Sequence, residues 1–290
     1  MSSPTKPFIN RIAIVFDFDE TLVPDSFAVL LEYLGLDVEP FKQESVRQRV
    51  EDGWQKVPAK FYALIEESQK RSDGGGDKIT RSDFVEVGKT IELFPGVSEM
   101  FDLLRNCAKD IVPDIEIEFY LITAGFAQIA RSTSIAHNFK AIWGSEFHYG
   151  KNDEVKFLKR IMTHTEKTRY LYHLSKGIDI ENDKDLVFLY QNIPPEKLHV
   201  PLSQTIYIGD GTSDIPCFAV LNEYNGIAIG LYEDETSQTW EYRDKVKTDQ
   251  QLSNIAPPDY RQGSELMRSL VLAVESICQK IALHRLGIGD

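Results

Sequence analysis

Residues 12–21 read IAIVFDFDET: a compact apolar run, rich in β-branched side chains, that stops abruptly at an acidic turn. Such a run predicts a strand buried on both faces, as strands in parallel sheets are. In extended chain, side chains two apart share a face, so Asp17 and Asp19 can converge just beyond the strand's carboxyl end. Open α/β sheets place their ligands at that edge.

Working outward, similar short runs recur at 118–122 (EFYLI), 141–143, 205–208 (TIYI) and 226–229 (GIAI), most separated by segments of helical length and pattern. Strands alternating with helices predict an α/β fold, a mostly parallel sheet covered by helices on both sides. The stretch 25–93 between the first two strands is much longer than a crossover helix needs. It reads as a small, mainly helical domain. Asp25 and Ser26 can cap a helix carrying Phe27, Leu30, Leu31 and Leu34 that ends at Gly35, and helical patterns follow at 41–54 and 57–69. The SDGGGDK run at 72–78 then breaks the chain, which returns to the core near Leu93–Gly96. Residues 146–161 suggest a β-hairpin turning at 150–153, and the apolar periodicity after Ser264 predicts a closing helix that Gly287 could terminate. The expected organisation is therefore a core of 1–24 plus 94–290 with residues 25–93 inserted.

The 290-residue chain is 42% hydrophobic and 27% charged, enough for a large core and unlike a disordered chain. Its 32 Lys and Arg face 45 Asp and Glu, and a net charge of −13 argues against a nucleic-acid partner. Cys107, Cys217 and Cys278 are odd in number and lack CxxC spacing, as expected of reduced thiols. The N-terminal apolar run is too short for a secretory signal, and no segment reads as a membrane span. The expectation is a cytoplasmic protein with no membrane partner. Oligomeric state is left open.

A second acidic cluster follows the strand at 205–208: Gly209-Asp210-Gly211-Thr212-Ser213-Asp214. Asp210 sits where the strand ends, the glycines permit a tight turn, and Asp214 can cap a helix whose first turn holds Pro216. Both segments deliver paired acids to one sheet edge, where four carboxylates repel unless a cation joins them. A hard divalent ion with oxygen ligands, magnesium first, resolves the repulsion.

With these segments in hand, the sequence resembles the haloacid dehalogenase-like hydrolase superfamily. DFDET resembles its first motif; Leu121-Ile122-Thr123-Ala124-Gly125 its second; Lys167, within TEKTR at 165–169, its third; and GDGTSD its fourth. The resemblance spans about Ile12 to Gly230, and an insertion between the first two motifs is similar to the phosphoserine-phosphatase-like branch. It implies a Rossmann-like core under a helical cap that closes over the site. It also implies a phosphatase acting on a small phosphate monoester through an aspartyl-phosphate on Asp17, with Asp19 as general acid and base. Thr123 and Lys167, with the backbone around Ala124 and Gly125, would hold the phosphoryl oxygens. Mg2+ would be bound by Asp17, the Asp19 backbone carbonyl and Asp210, with Asp214 as a further or outer ligand.

Lys151, Lys156, Lys159 and Lys176 compete with Lys167; a helix starting near Lys167 that turns Tyr170, Leu171 and Leu174 inward favours it. Dehalogenating relatives generally lack the second aspartate, and a transporter ATPase needs membrane helices, so neither fits. A phosphomutase, or a binding or scaffold protein that keeps the fold without turnover, remains the alternative. The six histidines show no metal-ligand spacing, and Glu233-Asp234-Glu235 reads as a solvated loop. Phe27, Tyr33, Phe41, Trp54, Phe61 and Tyr62 are expected to pack the cap's own core, one or two of them facing substrate. Arg47, Arg49 and Lys60 are expected at the surface, unless they meet an anionic leaving group. Phosphoserine, a sugar phosphate, a nucleotide and a cofactor phosphate stand as substrate classes.

Overall fold

The structure is a computed structural model that describes residues 8–178, 191, 193–211, 213–232 and 252–288; Thr212 and the 233–235 acidic run lie outside the described residues. In chain order, β1 (Arg11–Phe16) leads into α1 (Ser26–Tyr33), α2 (Val38–Phe41), a wider π-helical stretch Lys42–Arg47 and α3 (Gln48–Glu51). Then come α4 (Lys56–Asp73), α5 (Arg81–Thr90), α6 (Val97–Ile111), β2 (Glu116–Phe126), α7 (Ala127–Arg131), β3 (Phe139–Tyr149) and β4 (Val155–Arg160). The chain continues through α8 (His164–Lys176), β5 (Thr205–Gly209), α9 (Ile215–Glu223), β6 (Ile227–Leu231), β7 (Asn254–Ala256) and α10 (Glu265–Ile288).

These strands form one sheet in the order β4-β3-β2-β1-β5-β6-β7. Every pairing is parallel except the β3–β4 hairpin. Alternation along β1 explains why both faces are dry. Ile12, Ile14 and Phe16 join one core with α6 and α10, while Ala13 and Val15 join a second with Tyr170, Leu171 and Leu174 of α8 and Phe218 of α9. β1 is central, with β2 and β3 on one side and β5 to β7 on the other. The order therefore switches direction beside β1, and the carboxyl ends of β1, β2 and β5 meet at one edge.

The helical insertion leaves and re-enters at neighbouring points: Phe94 N donates to Leu22 O at 2.9 Å, and Tyr260 clamps both ends through Thr21 O (3.0 Å) and Pro95 O (2.7 Å). Three expectations change. The aromatics do not form a separate core, because Phe61 packs on Phe126 (4.9 Å) and Phe147 (4.3 Å) of the sheet, while Tyr33, Trp54 and Tyr62 are exposed. The insertion and core thus share one hydrophobic cluster. Helix α5 follows the glycine run, started by Thr80 N donating to Asp83 Oδ2 at 2.7 Å. Gly287 does not end the closing helix, which runs through it to Ile288; one glycine in a last turn costs only ~1 kcal/mol.

Candidate active site

Asp17 is the first residue past β1, and its N–H still donates to Ile208 O of β5 at 2.9 Å, so the ladder fixes its backbone. The turn beyond it is rooted by fully buried Phe18, Leu22 and Val23, and it reverses at Glu20, whose φ is +54°. Asp17 is 5% exposed, and its Oδ1 accepts from Phe18 N at 2.7 Å. Asp19 faces the same cavity; its Oδ1 accepts from Ser26 N at 2.8 Å, which ties it to the first turn of α1. Asp25 caps that helix through Phe27 N (3.0 Å) and holds Lys42 at 2.7 Å.

Across the cavity, β2 bulges between Ile122 and Phe126 and presents Thr123, Ala124 and Gly125. Thr123 is fully buried, its Oγ1 accepting from Gly125 N at 2.8 Å. Ser145 of β3 braces the loop, donating to Ala124 O at 3.0 Å and accepting from Met162 N at 2.9 Å. A side chain at Gly125 would put its Cβ 2.4 Å from Asp19 Oδ2, so glycine is what lets this loop lie against that carboxylate. Gly209 does the same for Asp214, whose carboxyl lies 2.4 Å from a Cβ built there.

Lys167, in the first turns of α8, is fully buried and donates to Asp17 Oδ2 (2.6 Å), Asp214 Oδ1 (2.7 Å) and Ser213 Oγ (3.0 Å). Tyr170, Leu171 and Leu174 anchor the helix behind it. The competing lysines go elsewhere: Lys156 pairs with Glu154 (3.1 Å), Lys159 with Glu146 (3.2 Å), and Lys176 donates to Gln191 O (2.6 Å). Lys151 sits exposed in the hairpin turn.

Asp214 precedes α9 as expected, yet its carboxylate does not cap that helix; Oδ1 is taken by Lys167 and by Tyr207 O–H at 2.7 Å. Asp17, Asp210 and Asp214 each bring a carboxylate oxygen within 4.8 Å of the others'. Three hard anionic oxygens so close fit a divalent cation. Asp19's carboxylate is not part of that trio, and no histidine joins it among the described residues.

The electrostatics carry the same strain. Burial pushes the Asp17 carboxyl well above the usual range, Lys167 works against this, and Asp214 and Asp210 add to it. Dehydration in the cavity, with Asp214 beside it, pushes Asp210 up to about 7. Asp19 is raised by burial and drawn back mainly by Lys60. For Lys167, burial favours the neutral amine, but Asp17 and Asp214 outweigh it and hold the ammonium above its ordinary value. A cluster of acids that would rather keep protons is one that a cation stabilises.

The cavity has a volume of about 670 Å³, with Asp17, Asp19 and Asp210 at its floor and Gln55, Lys56, Val57 and Lys60 of the insertion above. None of the six expected insertion aromatics lines it. Arg47 and Arg49 do not line it either and pair with Glu39 and Glu66, whereas Lys60 does. Sequence reasoning passed over Tyr207 and Ser213; the signal was a tyrosine inside an otherwise apolar strand and a hydroxyl beside Asp214.

No helix among the described residues is long and apolar enough to cross a membrane. An uncharacterized protein of Borreliella burgdorferi is 23% identical over 296 residues, covering 94% of this chain and 98% of that one. Among solved structures, a HAD family hydrolase from Salmonella enterica serovar Typhi superposes with a TM-score of 0.59 at 15% identity over 91% of this chain and 72% of that one. A probable phosphoserine phosphatase from Vibrio cholerae gives 0.57 at 12% identity over 95% and 68%. These likenesses concern the fold. Residues 14–219, from β1 through most of α9, match the family model for haloacid dehalogenase-like hydrolases, and the chain belongs to that family.

Proposed function

We propose that this chain is a magnesium-dependent phosphatase that hydrolyses a small phosphate monoester through an aspartyl-phosphate on Asp17, with residues 25–93 acting as the cap over the leaving group. The observation that carries this is the setting of Asp17, held between Lys167 Nζ and Phe18 N–H at the floor of a cavity shared with Asp19. Asp17, Asp210 and Asp214, with the Asp19 backbone carbonyl, would hold Mg2+, which supplies positive charge against the phosphate oxygens.

The residues then divide the work. Asp17 attacks phosphorus, and the P–O bond to the leaving group breaks as Asp19, whose proton affinity burial raises, hands that oxygen a proton. Asp19, now a carboxylate, takes a proton from the water that attacks the aspartyl-phosphate and frees inorganic phosphate. Thr123 and the N–H groups of its loop, with Lys167, face the phosphoryl oxygens as charge builds. Closure of the insertion over the cavity keeps bulk water from the first step.

The test is phosphate release from a generic aryl phosphate and a panel of metabolite phosphates. Wild-type protein should turn over with magnesium and stop with a chelator, and Asp17→Asn should lose at least about a thousandfold in kcat. Full activity in Asp17→Asn, or none in the wild type across the panel, sinks the proposal.

A further inference from the structure

The insertion carries ten lysines and arginines, and among the described residues six of them have an ion pair, Arg81 with Asp153 and Lys89 with Glu86 among them. Lys42 holds Asp25 at 2.7 Å, Arg47 faces Glu39 at 3.4 Å, Arg49 pairs with Glu66, and Arg71 holds Glu67 at 3.1 Å. Lys60 is different. It lines the cavity above Asp17 and Asp19, is half-buried, and has no hydrogen bond or ion pair within 4.0 Å among the described residues. Its ammonium lies over the face of Phe27, 4.9 Å from Nζ to the ring centre. Asp25 and Asp19 attract it only through space, their hydrogen bonds going elsewhere: Asp19 Oδ1 to Ser26 N at 2.8 Å, Asp25 to Lys42 and Phe27 N.

Nor can Lys60 easily turn away to water. It sits on α4 between Ala59 and Phe61, which are 0% and 1% exposed, and Phe61 is wedged against Phe147 at 4.3 Å. The helix is thus pinned to the sheet, and the ammonium stays over the cavity. Burial pulls its pKa below the ordinary lysine value, and the attraction of Asp25 and Asp19 offsets this only in part. Lys56, one turn earlier on the same helix, lines the mouth of the same cavity. A cavity of about 670 Å³ has room for a leaving group reaching well beyond the phosphate.

We infer that Lys60 reads a second anionic group on the substrate, so that the ester turned over carries a carboxylate or a second phosphate on its leaving group. This rests on the phosphatase reading above and narrows it. A neutral leaving group gives this partly dehydrated ammonium no hydrogen-bonded counterion, whereas an anion supplies one, and sites built around such a pairing discriminate strongly against ligands lacking it.

The experiment uses three aryl phosphates of one scaffold: 4-carboxyphenyl phosphate, 1,4-phenylene bisphosphate, and neutral 4-carbamoylphenyl phosphate. Read as the ratio of kcat/KM for an anionic ester to the neutral one, wild-type protein should favour at least one anion by about tenfold, mainly through KM. Which anion wins tells carboxylate from phosphate. In Lys60→Met and Lys60→Gln the ratio should fall to about one, and in Lys60→Arg it should persist. A wild-type ratio near one, or one unchanged in both neutral variants, overturns the inference while leaving the phosphatase reading standing. Failure to hydrolyse any of the three with magnesium overturns the inference, and with no release across the metabolite panel it overturns the phosphatase reading too.

Discussion

Replacing Lys167 with methionine keeps the length and apolar stem of the side chain but removes a fully buried ammonium that two carboxylates share, at 2.6 and 2.7 Å. Removing one partner of a buried ion pair costs ~3–5 kcal/mol, because the remaining charge has neither water nor a counterion. Here two acids are orphaned, with Asp210 in the same 4.8 Å cluster. For a chain of this size, with a urea slope of about 3 kcal/mol per M, the midpoint should fall by about 1–1.7 M in chelator. Protonation limits the loss, since an orphaned carboxylate can take up a proton. Its folded pKa then lies above its unfolded one, the folded state binds more protons, and stability drops as pH rises through that range. The deficit of Lys167→Met should therefore be larger at pH 8.5 than at pH 6. Neutralising Asp17 as well should return part of it: Asp17→Asn/Lys167→Met should be less destabilised than the sum of the singles by at least about 1 kcal/mol. Urea unfolding of the four proteins followed by circular dichroism measures this. A midpoint within about 0.3 M of wild type, or strict additivity, refutes the claim that Lys167 is the counterion of this cluster.

Two further outcomes follow from the geometry. Gly125→Ala brings a Cβ to 2.4 Å from Asp19 Oδ2 and 3.1 Å from Thr123 Oγ1, so Asp19 must shift; kcat/KM should drop by about a hundredfold or more with little change in melting temperature, and unaltered kinetics would show that the loop has slack. At the opposite end of the sheet, Tyr120 O–H (2.5 Å), Lys140, His199 Nε2 (2.7 Å) and Arg11 Nε (3.2 Å) surround the Glu118 carboxylate, and hydrogen bonds led by His199 overcome its burial to hold its pKa at about 2. That lowered value means a contribution fully present above about pH 4.3 and lost as pH falls toward 2. Glu118→Gln should cost about 1–2 kcal/mol near pH 7, a gap from wild type that closes in acid; melting curves at pH 7, 4 and 3 check it.

The elements that sequence reading located share a local cause. The run at Ile12–Phe16 is dry on both faces, the Asp25 cap acts two residues away, and Asp17 and Asp210 directly follow strands with Asp19 and Asp214 in the turns just beyond, so neighbouring residues reveal them. Strand β7 is only Asn254–Ala256, too short for periodicity to register, and it exists because β6 offers an open edge. The insertion aromatics were misjudged because a helical face shows which residues are buried, not against what; Phe61 met Phe126 and Phe147 rather than its own neighbours.

By itself the sequence determined the α/β architecture, the inserted helices and the acids at one sheet edge, since burial periodicity and turn chemistry act over a few residues. Which lysine reaches Asp17 was not settled at that level. Lys167 lies 150 positions away, and only the inward pattern of Tyr170, Leu171 and Leu174 favoured it over four others. The docking of α8 decided it by burying one ammonium between two carboxylates. Lys60 was decided the same way: the packing of α4 against the sheet left it facing the cavity, near Asp19 and Asp25 but without a direct ion pair. A charge's partner is a long-range fact, set where helices pack against a sheet, because only there is water withdrawn and the choice of counterion enforced.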